Sequence, residues 1–178
     1  MKKILSLLLI ILLLTTGCGG NNARGAVENY LKKYRNLSSE VLVDLENVIN
    51  KENLTKKQQE KYREVLKKQY KDLTYEIINE EFENDVTYVT AKIEVYDLYT
   101  AQSDASLYLA NNKNEFNDES GIYDVNKFID YKLDKMKNTT SRIEYKITFT
   151  VTKEDDEYVV SQPTEIDLQK IHGIYNFE

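Results

Sequence analysis

Val86-Thr87-Tyr88-Val89-Thr90-Ala91-Lys92-Ile93-Glu94-Val95-Tyr96 is the stretch from which the rest of the chain is read. Val89, Ala91, Ile93 and Val95 alternate with Thr90, Lys92 and Glu94. Successive side chains of a strand point to opposite faces, so this segment has one apolar face and one polar face. Just upstream, Tyr75 and Ile77 flank Glu76 with the same period of two, and Asn84-Asp85 supplies a turn. The two strands, about 74–83 and 86–97, are expected to pair as an antiparallel hairpin.

Before Thr74 the period is helical. Val27, Tyr30, Leu31 and Tyr34 fall at i, i+3, i+4 and i+7, one apolar stripe. Asn36-Leu37-Ser38-Ser39 interrupts it, and either serine can cap a second helix carrying Val41, Leu42, Leu45, Val48 and Ile49. Thr55-Lys56-Lys57-Gln58 matches a capping box. The helix behind it puts Tyr62, Val65, Leu66, Gln69, Tyr70 and Leu73 on one face.

Residues 98–139 separate the first hairpin from the strands that follow. Leu98, Ala101, Ala105, Tyr108 and Leu109 predict a helix, Asn111 to Gly121 a polar loop, and Val125, Phe128, Ile129, Leu133 and Met136 another helix started by Asp124. Ile143, Tyr145, Ile147, Phe149 and Val151 then alternate with polar residues. Glu154-Asp155-Asp156 turns the chain, Tyr158 to Gln162 returns, and Thr164 opens a short last helix. Strands with one apolar face need cover on that face only. The expected fold class is therefore α+β: N-terminal helices packed on one face of an antiparallel sheet of about four strands, with a helical insertion between two hairpins.

The start of the chain has a different character. Lys2 and Lys3 precede an apolar run, Ile4 to Leu14, of 11 residues. As a helix it would span about 16 Å, against about 30 Å for a bilayer core. It reads as the hydrophobic part of a cleavable leader. Leu14-Thr15-Thr16-Gly17-Cys18 resembles a lipobox, in which the cysteine receives diacylglycerol before cleavage; Thr15 stands where leucine is usual, and Leu14 lies one place earlier. Cys18 is the single cysteine of the chain, so it has no intramolecular disulfide partner. One acyl chain binds a membrane reversibly, whereas two anchor it stably. The expected organisation is a leader over 1–17, a lipidated tether over 18–25 and one α+β domain over 26–178, held at the outer face of the cell membrane through lipid on Cys18.

Without residues 1–17 the chain keeps 161 residues, enough for one core without staples. Lys2 and Lys3 leave with the leader, so 22 of the 24 Lys+Arg remain against 30 Asp+Glu, a net charge of −8. Such a chain repels phosphate backbones, so no nucleic-acid partner is expected. It also repels anionic headgroups, which leaves the lipid as the membrane anchor. The Lys-, Asn- and Ile-rich composition hints at a low-GC bacterium.

The order of three helices followed by sheet resembles the cystatin-like and NTF2-like cone folds, although the helical insertion departs from the simplest cystatin pattern. More narrowly, Gly17-Cys18, Lys67 to Leu73, Val95-Tyr96-Asp97-Leu98-Tyr99 and Ile171-His172-Gly173-Ile174-Tyr175 resemble uncharacterised lipoproteins of Gram-positive bacteria. None of the last three segments is a known catalytic signature. The resemblance implies a domain whose sheet and helices can enclose a pocket, and in some relatives an acid and a tyrosine transfer protons there. Asp97 with Tyr145 would be that pair here; the simpler reading of Asp97 is a helix cap.

Other chemistry is scarce. His172 is the only histidine, and with Gly173 behind it reads best as part of a helix terminus. One histidine and one lipidated cysteine cannot furnish a zinc site. The acids around Gly121 miss the EF-hand register, because Phe116 stands at the first ligand position. No cofactor or metal is expected. Tyrosine is enriched at binding surfaces, and Tyr88, Tyr96, Asp97, Tyr99 and Tyr145 are the candidate ligand-binding residues. The reading is a non-enzymatic lipoprotein that binds a protein, peptide or envelope ligand. The alternative is an NTF2-like enzyme with the acid–tyrosine pocket. A two-lobed binding protein of a transporter would need a longer chain.

Overall fold

The computed structural model describes residues 22–176. The leader and Cys18 lie outside the described residues. Helices α1 (Ala23–Arg35), α2 (Ser39–Asn50) and α3 (Lys56–Lys71) are followed by strands β1 (Thr74–Glu83) and β2 (Val86–Tyr96). The insertion comprises α4 (Leu98–Asn111), a 3-10 turn (Lys113–Phe116) and α5 (Val125–Asn138). Strands β3 (Arg142–Glu154) and β4 (Glu157–Val160) and helix α6 (Glu165–His172) complete the order. The sheet is a four-stranded antiparallel meander, β1-β2-β3-β4. The α+β class and the single helix-covered sheet face are as expected.

The local signals act as read. Ser38 caps α2, and Thr55 and Gln58 form both halves of the capping box on α3. Asn84 and Asp85 both adopt positive φ, 49° and 66°, which suits the twist of a two-residue hairpin turn. Asp155 and Asp156 do the same between β3 and β4, with φ of 44° and 68°.

Three boundaries differ from expectation. Helix α1 begins at Ala23, within the segment 18–25 expected to be tether. Asn22 caps it, its side chain accepting from the Gly25 amide at 2.7 Å, and Ala23 is buried. Strand β2 stops at Tyr96, and Asp97 is the cap of α4. The segment 111–121 is no plain polar loop. Its 3-10 turn drives Phe116 into an aromatic group with Tyr108, Phe128 and Tyr131, and Phe116 is only 4 % exposed.

Val89, Ala91, Ile93 and Val95 of β2 share the inner face with Tyr145, Ile147, Phe149 and Val151 of β3, and all eight are buried. Helix α1 covers them. Its stripe Ala26, Asn29, Tyr30 and Lys33 faces Tyr158–Val160 of β4. Tyr30 packs on Phe149, while Tyr34 packs on Tyr70, near the end of the helix that leads into β1. Helix α1 therefore runs along the sheet with its N-terminus toward the two hairpin turns. Helices α2, α4 and α5 make their main contacts with α3 and with one another, not with the strands. They form a bundle at the opposite end, the base of the sheet. Gln58 at the start of α3 donates to the Asn126 carbonyl of α5 at 3.3 Å, so the loop end of the insertion lies beside the N-terminus of α3. Leu133 and Met136 belong to the main core, so the insertion packs on it and is no separate lid.

Both sheet edges are guarded. Strand β1 carries a bulge between Ile77 and Asn79, and acids at Glu76, Glu80, Glu81 and Glu83. The lower part of β3 has no β4 opposite, because β4 pairs only from Val151 onward. Lys170 of α6 reaches the Lys146 carbonyl there at 3.4 Å, and the Tyr145 hydroxyl donates to the Tyr175 carbonyl at 3.2 Å.

Candidate functional site

The structure distributes the candidate residues over three environments. Tyr88 stands on the open face, 36 % exposed, with Glu81 on one side and Thr150 on the other. Val86 and Val159 flank Thr152 toward the turns, and below Tyr88 the same face is polar on β2 and β3. Thr90 and Thr148 hydroxyls meet at 3.0 Å, and Lys92 lies between Glu76 at 3.7 Å and Glu144 at 3.2 Å. The two carboxylates raise the Lys92 pKa.

Tyr96 belongs to the base of the sheet. Its hydroxyl donates to Asp72 at 2.8 Å, Lys68 lies 4.3 Å from the ring centroid and Arg142 4.9 Å. That engagement makes it a strut between α3 and the strands. Beneath it Gln69, fully buried, accepts from the Tyr96 amide at 2.9 Å and donates to the Tyr96 carbonyl at 3.2 Å. Tyr99 is half-buried, and its amide donates to the Gly173 carbonyl at 2.9 Å.

Asp97 and Tyr145 are near enough that the carboxylate acts on the phenol. Burial, and then the Asp97 charge, push the Tyr145 pKa up to about 12. Tyr145 is 3 % exposed, with Tyr175 packed edge-on at 5.9 Å between ring centroids. Asp97 accepts from the Thr100 amide at 2.9 Å, so its carboxylate serves the start of α4. A proton-transfer group works best with a pKa near the ambient pH; this phenol is held in its neutral form and donates to main chain. The observed role of Asp97 is thus the cap of α4. Asp97→Ala is expected to destabilise the domain by about 1 kcal/mol, and Asp97→Asn by much less, since Asn caps nearly as well. Urea midpoints of the two variants check this; equal losses would remove the cap argument.

Residues that the sequence did not single out matter as much. The loop end of the insertion carries exposed Leu107, Ile122, Tyr123 and Val125 at 64, 66, 46 and 50 %. The loop is braced: Asp118 accepts from the Ser120 and Ile122 amides, Asn117 bridges Tyr123, and Gly121 turns at φ 79°. Tyr108 closes the 3-10 turn by donating to Glu115. Leu107 lies off the apolar set of α4, Ile122 and Tyr123 stand in a polar segment without a period, and Val125, expected on the apolar face of α5, is exposed. Among the described residues no three of His, Cys, Asp and Glu stand close enough to hold a metal ion, and no helix is long and apolar enough to cross a membrane. Comparison with protein-family models, curated proteins and solved structures finds no match.

Proposed function

We propose that the protein is a lipid-anchored binding domain on the outer face of the cell membrane, and that its ligand is an envelope protein or peptide. The observation that carries the anchor is Gly17-Cys18 behind an apolar run too short to span a bilayer, with a folded helix beginning at Ala23. The binding role draws its support from the braced loop at the end of the insertion. Exposed apolar side chains grouped together mark interaction sites, whereas scattered ones do not, and Ile122, Tyr123 and Val125 are grouped within four residues of this loop. Glu119 and Asp124 flank Ile122, Tyr123 and Val125, so the fitting partner combines apolar groups with basic ones. The cone-fold resemblance remains part of this proposal, as does the lipoprotein family.

One experiment tests both halves. Cells expressing the chain are fed a clickable palmitate, and the labelled protein is crosslinked on the cell surface to its neighbours. Native protein is expected to take label and to yield a discrete crosslinked partner. Cys18→Ala loses the label, and Leu107→Ser with Ile122→Ser keeps the label but loses the partner. Label retained on Cys18→Ala overturns the anchor. A partner retained by the double variant overturns the site.

A further inference from the structure

We infer that the domain stands on the bilayer by the end that carries its two hairpin turns, with the insertion loop facing away from the lipid. This rests on the lipidation of Cys18 proposed above and specifies the surface that meets the membrane.

The argument begins with chain length. From Cys18 to Ala23 there are five residue steps. Whatever conformation they take, they reach at most about 18 Å. Ala23 opens α1, whose N-terminus points toward the hairpin turns. The acyl chains are therefore tied within a short radius of that pole. At the far pole the insertion loop sits beside the start of α3. Strand β2 has 11 residues, about 37 Å, and α3 has 16, about 24 Å. Even with inclined axes, the loop is several tens of Å from the turns.

Charge then sets the spacing. Residues 80–85 and 154–157 hold eight exposed carboxylates. Lys153, the base beside them, is already paired with Asp156 at 2.7 Å. An anionic leaflet repels this pole over a Debye length of about 8 Å at physiological salt. The tether is longer than that screening length, so the pole hovers over the headgroups without inserting. Phe82, 72 % exposed among these acids, stays in water.

The test uses lipidated full-length protein in phosphatidylglycerol/phosphatidylcholine vesicles. A donor dye is placed on Phe82→Cys or on Ile122→Cys, and an acceptor dye on lipid headgroups. Flotation with the vesicles is scored first. Energy transfer is expected to be several-fold stronger from position 82 than from position 122. Lowering the salt should weaken transfer from position 82 in anionic vesicles and leave it unchanged in pure phosphatidylcholine. Protein that fails to float overturns the anchor itself. Protein that floats but transfers equally from both positions, or more from 122, overturns the orientation alone. Transfer from 82 that ignores salt in anionic vesicles overturns the charge stand-off.

Discussion

Gly173→Ala is expected to destabilise the domain by about 4 kcal/mol. Gly173 ends α6 in the left-handed conformation, φ 71°. Its amide donates to the Lys170 carbonyl and the Ile174 amide to the Gln169 carbonyl, the pair of bonds that closes a helix with a glycine. A side chain in that conformation costs about 1–2 kcal/mol. A Cβ there would also lie well inside van der Waals contact with the Gln69 side-chain nitrogen and the Tyr96 carbonyl. Gln69 would have to leave, orphaning a buried amide and carbonyl of Tyr96 at about 1–3 kcal/mol each. The midpoint of thermal unfolding should fall by roughly 10 °C. Gly121→Ala is the control, because Gly121 has a similar φ of 79° and open space where its Cβ would go. It should lose only the backbone part. Equal losses at the two positions would show that the contact with Gln69 and Tyr96 carries no weight.

The second large effect is on pH dependence. His172 is 7 % exposed, and its Nδ1 meets the Tyr70 hydroxyl at 2.9 Å. Burial pushes its pKa from the ordinary 6.5 down to about 4. The unfolded chain therefore takes up a proton near pH 6.5 that the folded chain refuses until about pH 4. Stability rises with pH where the unfolded state holds more protons, so this residue costs stability as pH falls through that interval. The full loss is about 3 kcal/mol, complete near pH 4 and unchanged below it. His172→Gln should flatten the slope in urea titrations between pH 6.5 and 4. Glu46 and Glu64, held low by Arg63 and Lys137, titrate alike in both proteins. An unchanged slope in the variant would mean that the proton goes elsewhere. The sequence places His172 at a helix terminus beside Gly173. Its place next to Gly173 was right, but its environment makes it neutral.

That case shows where sequence is informative. A period of two in Val89 to Val95 and a period near 3.6 in Val27 to Tyr34 depend on neighbours in the chain, and both faces came out as read. Caps are equally local, which is why Ser38, Thr55, Asp97, Asp124 and Thr164 each sit at the start of a helix. What could not be read is pairing between segments far apart. Gln69 falls on the apolar face of α3 with nothing local to pair it, and its partner is 27 residues on. Tyr96 has the outward register that a recognition residue would have, but Lys68, Asp72 and Arg142 converge on it from two other elements. Phe116 stands alone in a polar stretch, so no pattern announces that Tyr108 and Tyr131 receive it. Tyr88 stands on the open face, apart from the other four candidates at the base of the sheet, for the same reason: alternation fixes which face a side chain takes, not what folds over it.

The joint at the base of the sheet also bears on the order of folding. Its fastenings are Gly173 against Gln69 and Tyr96, His172 against Tyr70, and Tyr175 against Tyr145. In each, one member comes from the last segment of the described chain and the other from far upstream. A nascent polypeptide growing from its N-terminus thus completes all four strands and both layers before this last set of fastenings has been synthesised. Before residues 172–175 arrive, Gln69, Asp72 and Tyr96 already join the bundle to the sheet, and the last segment adds a late-made latch over that seam.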